Sequence, residues 1–180
     1  MSIGEEIPVY AKAEFFVYPK EILEDLTYFY HDPSRVYHGL LEIGILKGEL
    51  EFIKNNMQFF LDQDILMING LQKRLIVEDV SLSFPDGDFE HPCLHFKIYT
   101  EVEFVYGDNR LEMISEEELA PYDFEIIWDF SSLEGSEIAE VKSKLSYKID
   151  SEKSKIFMKT FKDKPCGGHE VIKVLLVSSF

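Results

Sequence analysis

The sequence predicts a mainly β protein, in which two antiparallel sheets pack as a two-sheet β-sandwich with one N-terminal helix. Along most of the chain, apolar and polar residues alternate with a period of two, which is typical of strands with one buried face. Turn residues separate these segments and favour hairpins between antiparallel neighbours. About ten segments fit this pattern, more than one flat sheet usually carries, so two packed sheets are favoured. The alternative is an α+β fold with the helix packed on one sheet.

Length and composition predict one globular domain over residues 1–180. The chain has 180 residues, of which 46% are hydrophobic and 29% charged, and this composition argues against disorder. Its two cysteines do not amount to a disulfide framework. The first residues lack the basic and apolar regions of a secretory signal, and no apolar run approaches the roughly 20 residues that span a bilayer. We therefore expect a cytoplasmic protein.

The first two predicted elements are a strand and the helix. Residues 7–18 are rich in Val, Phe and Tyr and predict a strand that ends at Pro19. Residues 20–31 predict the helix, because their apolar residues fall on one face and acids lie near the start. Asp32-Pro33 closes this helix, since the residue before a proline is biased away from helical geometry. The apolar face consists of Ile22, Leu23, Leu26, Phe29 and Tyr30.

The next elements are predicted strands joined by turns. Residues 36–46 and 49–54 flank Lys47-Gly48, which we interpret as a hairpin turn, and a helix over residues 49–61 is the alternative. Asn69-Gly70 is the strongest hairpin signal in the chain, because a type I′ turn needs positive φ at both central residues. Residues 71–84 continue as a long strand, which ends at the turn residues 85–88.

The second half of the chain also predicts strands. Residues 93–106 and 110–114 are interpreted as strands joined by a turn at 107–109. Four further strands are predicted at residues 122–130, 144–149, 155–161 and 170–177. Residues 115–119 and 133–141 are interpreted as short helices.

Cysteine and histidine are concentrated in two short stretches. Five of the seven such residues of the chain lie in His91-Pro92-Cys93-Leu94-His95 and in Cys166-Gly167-Gly168-His169. Thiolate and imidazole are the ligands that zinc prefers, so these stretches predict a candidate zinc site. The candidate ligands are Cys93, His95, Cys166, His169 and His91.

Strand geometry limits which of these residues can share one ion. Side chains at i and i+2 of a strand lie on one face about 6.7 Å apart, whereas i and i+4 are about 13 Å apart. The first stretch can therefore supply Cys93 with either His95 or His91. The second stretch is interpreted as a hairpin loop whose glycines bring Cys166 and His169 together. Two donors from each stretch would make a tetrahedral Cys2His2 site, if the stretches meet in space.

The same cysteines and histidines also fit simpler roles. The histidines can lie on a solvated strand face, and the cysteines can serve as small, half-buried apolar residues. In a catalytic role, Cys166 would be a nucleophile activated by His169, with Glu170 orienting the imidazole. Residues so close in sequence seldom provide a whole catalytic apparatus.

No enzyme class is indicated by a short motif. The phosphate-loop, dinucleotide-binding, HExxH and GxSxG patterns are absent from the sequence. Close acid pairs such as Glu101 with Glu103 are expected by chance among 34 acidic residues. Trp128 beside Asp123 and Glu125 would fit a carbohydrate-binding surface, although aromatic residues of a strand are more simply core. Whether the protein is an enzyme is therefore left open by its sequence.

The net charge of −16 bears on the partners of the protein. It disfavours nucleic acid and anionic membranes, both of which attract Lys and Arg, and it favours a basic protein partner. The acid-rich residues 112–118 predict an acidic patch, and exposed sheet edges offer a route to a homo-oligomer. We expect a non-enzymatic binding or assembly module for a protein partner. The alternative is a zinc-binding protein or metal-dependent enzyme that uses the Cys/His cluster.

Overall fold

The computed structural model describes residues 7–177 and confirms a mainly β, two-sheet fold with one helical region. Residues 1–6, which entered the argument against a secretory signal, and residues 178–180 lie outside the described range. The helices are α1 (Val36–Glu42) and α2 (Leu46–Leu61), and neither has the length and hydropathy that a membrane crossing requires. The strands are β1 (Tyr10–Val17), β2 (Glu21–Phe29), β3 (Ile65–Ile68), β4 (Leu71–Lys73), β5 (Ile76–Ser83), β6 (Cys93–Glu101), β7 (Gly107–Leu119), β8 (Asp123–Asp129), β9 (Ser136–Lys142), β10 (Ser146–Ile149), β11 (Lys155–Thr160) and β12 (Pro165–Leu176).

Seven strands form one sheet in the order β10-β11-β8-β1-β2-β6-β5, and five form the other in the order β4-β3-β7-β12-β9. Neighbouring strands pair antiparallel, as predicted, with one exception. β1 and β8 run parallel, with Tyr10 opposite Asp123. A parallel pair needs a long connection between its strands, and here most of the chain lies between them.

The predicted helix at residues 20–31 is wrong, because this segment forms strand β2. Ile22 and Leu26 fit a helical face and also one face of a strand, so their spacing alone did not decide between the two. β2 lies between β1 and β6; β6 pairs with it along its whole length, and β1 pairs with all of it except Glu21. Backbone hydrogen bonds on both sides outweigh a local helix preference of a few tenths of a kcal/mol per residue.

The helical region lies later in the chain than predicted. The strands expected at residues 36–46 and 49–54 are wrong, and the helix alternative over residues 49–61 is confirmed as part of α2. Leu50, Ile53, Met57 and Leu61 recur at helical spacing and pack against the core. The single predicted helix is therefore replaced by α1 and α2.

The hairpin predicted at Asn69-Gly70 is confirmed. Asn69 has φ 51° and Gly70 φ 80°, and the two residues connect β3 to β4. The long strand expected over residues 71–84 is divided, because β4 belongs to the five-stranded sheet whereas β5 belongs to the seven-stranded sheet.

The hairpin predicted around residues 107–109 is wrong. β6 ends at Glu101, and the chain crosses to the other sheet before β7 begins. The Asn109 side chain stabilises this crossing, because its amide accepts a hydrogen bond from Val105 N and donates one to Val105 O. The short helices expected at residues 115–119 and 133–141 are also wrong: the first is the end of β7, and the second overlaps strand β9.

The core lies between the inner faces of the two sheets. Phe15 and Trp128 stack there with ring centroids 4.0 Å apart, and Phe130 also stacks with Trp128, at 6.1 Å. All three side chains are buried, as are Leu111 and Ile172 from the five-stranded sheet. Trp128 is thus a core residue and does not belong to an exposed carbohydrate-binding surface.

Candidate functional site

The predicted metal ligands are divided between the two sheets. Cys93 and His95 lie on β6 of the seven-stranded sheet, whereas Cys166 and His169 lie on β12 of the five-stranded sheet. The hairpin loop expected around Cys166 is wrong, because the segment is the first part of β12. It pairs with β7 through a bulge between Cys166 and Gly168.

The side chains of the first stretch have partners of their own. His95 is half-buried, with Nδ1 3.1 Å from Thr27 Oγ1 and Nε2 2.7 Å from Ser83 Oγ. Burial lowers the pKa of His95, and the nearby Asp25 carboxylate partly opposes this effect. His91 is exposed, and its Nδ1 lies 2.7 Å from Asp88 Oδ2.

The second stretch is arranged differently. Cys166 is buried, whereas His169 is exposed and its Nε2 lies 2.6 Å from Glu112 Oε2. Glu112 also pairs with Arg110. Within residues 7–177, no group of three or more His, Cys, Asp or Glu side chains is arranged to hold a metal ion. The zinc site stays a prediction, and elemental analysis of protein purified without chelator tests it.

Both thiols are in surroundings that disfavour the thiolate. Burial raises the pKa of Cys93. Burial also raises the pKa of Cys166, and the carboxylates of Glu118 and Glu170 add to this effect more than Lys144 opposes it. An activated nucleophile needs the opposite shift.

We therefore expect iodoacetamide to alkylate the folded protein slowly at pH 7.5, because both thiols are buried and protonated. Alkylation in denaturant should be at least about tenfold faster, like that of a free thiol. The C93S and C166S variants assign each labelling phase by mass spectrometry. Fast labelling of Cys166 in the folded C93S variant would contradict this prediction and revive the nucleophile hypothesis.

The glycine pair of the second stretch has a structural role. Gly167 has φ +74° and Gly168 φ +87°, which side chains with a Cβ rarely adopt. A Cβ at Gly167 would overlap the carbonyl oxygen of Glu116 on β7. A Cβ at Gly168 would lie 3.1 Å from Glu117 Oε1. The two glycines therefore let β12 approach β7 closely at the bulge.

The clearest candidate for a binding surface is the helical arm, residues 36–61, which comprises α1 and α2. The outer face of α2 exposes large apolar side chains: Phe59 is 66% exposed, Phe60 62% and Phe52 54%. Phe52 and Phe59 are two helical turns apart and lie on one face. Leu41, Ile43 and Ile45, in α1 and between the helices, are also exposed. We call Ile45, Phe52, Phe59 and Phe60 the apolar face of the arm.

Polar contacts attach this arm to the seven-stranded sheet. The Gln58 side chain donates to Leu75 O at 2.9 Å and accepts from Val77 N at 2.8 Å. Lys54 Nζ donates to Glu78 O at 2.7 Å. At the end of α2, Asp62 accepts two hydrogen bonds of 2.8 Å from Arg74. The arm is thus fixed to the sheet on one side, and the apolar face points away from it.

The arm also differs in charge from the rest of the chain. Residues 36–61 hold two lysines and three glutamates, in a chain with a net charge of −16. This surface was not predicted from the sequence, because the region was assigned to strands. The sequence nevertheless contains a signal for this surface. Ile45, Phe52 and Phe59 are seven residues apart, so a helix places all three on one side. The residues that pack against the core, Leu50, Ile53 and Met57, lie on the opposite side.

A buried carboxyl group is the second unusual feature. Glu24 on β2 faces the core together with Ile22 and Leu26 and is only 7% exposed. Its carboxyl group has no hydrogen-bond partner among residues 7–177. Burial, and then the carboxylates of Asp25 and Asp64, raise the pKa of Glu24 from 4.5 to about 8. The side chain is therefore mainly protonated at neutral pH.

The predicted acidic patch is partly neutralised. Glu112 is paired with Arg110 and His169, and Glu117 pairs with Lys144 at 2.7 Å.

Comparisons with protein families, with characterised proteins and with solved structures find no match to this chain.

Proposed function

We propose that the protein is a non-enzymatic binding module that docks a protein partner on the apolar face of the helical arm. The observation that carries this proposal is the exposure of three phenylalanines on the outer side of α2. The inner side of the same helix is attached to the sheet through Gln58. Monomeric proteins rarely expose contiguous apolar patches of this kind, and such patches mark interaction sites.

The energetics favour a partner over solvent. Full burial of one phenylalanine side chain gains about 1.5–3 kcal/mol relative to its exposed state. Aromatic residues near the centre of an interface are also the ones that dominate measured binding energies. Phe59 and Phe60 already contact each other, with ring centroids 5.9 Å apart. A partner with an apolar groove would bury both rings together, in the mode by which amphipathic helices bind.

The negative charge of the chain favours a basic partner over a second copy of the same chain. Two copies of this chain, each with a net charge of −16, would repel each other. Glu42, Lys47 and Glu51 are exposed on the arm, which gives its exposed surface a small acidic excess. The partner that fits is therefore a different protein, with an apolar groove bordered by basic side chains.

Photo-crosslinking in cells tests this proposal. With p-benzoylphenylalanine in place of Phe59, we expect a discrete crosslink to one protein, because the ring lies in the interface. The same group in place of Phe157, which is 44% exposed on β11, is the matched control and should not give that product. The captured protein is then purified and its binding to the unmodified chain is measured.

Two results would contradict the proposal. A crosslink from Phe59 to a second copy of this chain would replace the partner by a homodimer. Equal products from both positions would show that the arm has no selective surface.

A further inference from the structure

The positive charge of this acidic protein is concentrated in one segment. Residues 142–164 contain eight lysines and three acids, a net charge of +5 in a chain of −16. The segment comprises β10, β11 and their flanks, at one edge of the seven-stranded sheet. Four of these lysines pair with carboxylates: Lys142, Lys144, Lys153 and Lys155. The other four have no ion-pair partner in the part of the chain that the structure describes.

A cleft lies in this segment, where the start of β10, the end of β11 and the start of β12 meet. Its volume is about 450 Å³, within the range of small-molecule sites. Lys144, Lys159 and Lys164 line it, and no carboxylate does. Lys159 and Lys164 are two of the four lysines without an ion pair. Although Lys144 is paired with Glu117, Lys159 and Lys164 are not paired, and the cleft therefore has an excess of positive charge.

Apolar and hydroxyl groups complete the lining. Phe161 is 54% exposed, and its ring lies 5.7 Å from Lys159 Nζ, in a cation–π contact. Pro165 forms another apolar wall. Thr160 also lines the cleft, although it is only 7% exposed, and its hydroxyl has no hydrogen-bond partner within residues 7–177. Such a hydroxyl is a donor that a bound anion would satisfy.

We propose that this cleft binds a small organic anion, a phosphate or carboxylate carried by an aromatic or other flat apolar body. Lys159 and Lys164 contact the anionic group, and Thr160 donates a hydrogen bond to it. Phe161 packs against the apolar body. This site is separate from the apolar face of the arm, and the proposal does not depend on the proposed function.

Titration of the 15N-labelled full chain with phenyl phosphate, followed by NMR, tests the site. We expect saturable shifts of the Ser146, Thr160 and Phe161 amides. The K159Q/K164Q variant should bind at least about tenfold more weakly. The K148Q/K162Q variant removes the same charge from two lysines outside the cleft lining and should bind within about twofold of the unmodified chain. Equal losses in the two variants would overturn the proposal, since only regional charge would then attract the anion.

Two further probes separate the parts of the site. Inorganic phosphate should bind at least about fivefold more weakly than phenyl phosphate, and F161A should remove that difference. Benzoate identifies the preferred anion: tighter binding of benzoate assigns the site to carboxylates, and weaker binding assigns it to phosphates. The absence of saturable shifts with phenyl phosphate and with benzoate would overturn the site altogether.

Discussion

Replacing Glu24 by glutamine should remove most of the pH dependence of stability between pH 5 and pH 8. The pKa of Glu24 is raised from 4.5 to about 8 in the folded chain. Between these two values the folded state holds a proton that the unfolded state releases, so stability is greatest at low pH and falls as pH rises. At 1.36 kcal/mol per pKa unit, the full loss from this residue is ~5 kcal/mol, and ~3.5 kcal/mol of it falls between pH 5 and pH 8. Glutamine cannot ionise, and the variant should lack this loss.

Urea unfolding at several pH values measures this effect. The free energies of unfolding of the unmodified chain and of E24Q should diverge with rising pH, in favour of the variant. E101Q, which changes an exposed acid at the end of β6, is the control and should run parallel to the unmodified chain. Because a buried amide without hydrogen bonds is itself destabilising, E24Q can be the less stable protein at pH 5. The slope is therefore the decisive quantity, and parallel slopes for E24Q and the unmodified chain would contradict the raised pKa of Glu24.

Replacing Gly167 by alanine should destabilise the protein by ~2–5 kcal/mol. Two costs add: φ at this position is +74°, and the new Cβ would overlap the Glu116 carbonyl oxygen. The left-handed backbone alone costs an L-residue about 1–2 kcal/mol, and overpacking against fixed backbone costs about 1–3 kcal/mol. The Glu116 carbonyl lies in β7 between Ser115 and Glu118, which pair with Gly168 and Cys166, and these flanking pairs limit how far it can move.

Two control variants separate these costs. Gly107 has φ +92° and open space around its Cβ position, so G107A isolates the backbone cost. Gly48 lies in α2 with open space and without a positive φ, so G48A should leave stability unchanged or raise it slightly. Thermal and urea unfolding should rank the variants G48A, G107A and G167A in falling stability. Equal stabilities of G107A and G167A would show that β12 does not approach β7 as described.

The types and spacing of neighbouring residues were sufficient to predict some secondary-structure elements and insufficient to predict others. The Asn69-Gly70 hairpin could be predicted because both residues adopt the positive φ that the turn demands. β2 could not, since the spacing of Ile22 and Leu26 fits a helix as well as a strand. Its conformation depends on pairing with β6, whose first residue is about 70 positions further along the chain.

In the candidate site, too, the residue types could be predicted from the sequence, whereas their arrangement in space could not. The chemistry of Cys93, His95, Cys166 and His169 was visible in the sequence, but their distribution over two sheets depends on strand order. The apolar face of the arm could not be predicted, because residues 36–46 and 49–54 were interpreted as strands and form helices instead. The burial of Glu24, and the added effect of the Asp64 carboxylate about 40 residues away in sequence, depend on the tertiary fold, and no local pattern indicates them.

The affinity of the partner captured through Phe59 tests the central claim most directly. The F52S/F59S variant should bind the purified partner about 100-fold more weakly than the unmodified chain, at about 1.5 kcal/mol per aromatic side chain. The F157S/L71S variant removes two apolar side chains that are 44% and 65% exposed outside the arm, and it should bind like the unmodified chain. Both variants should keep the circular dichroism spectrum and the melting temperature within a few degrees. If folded F52S/F59S bound the partner as tightly as the unmodified chain does, the arm would not be the binding surface.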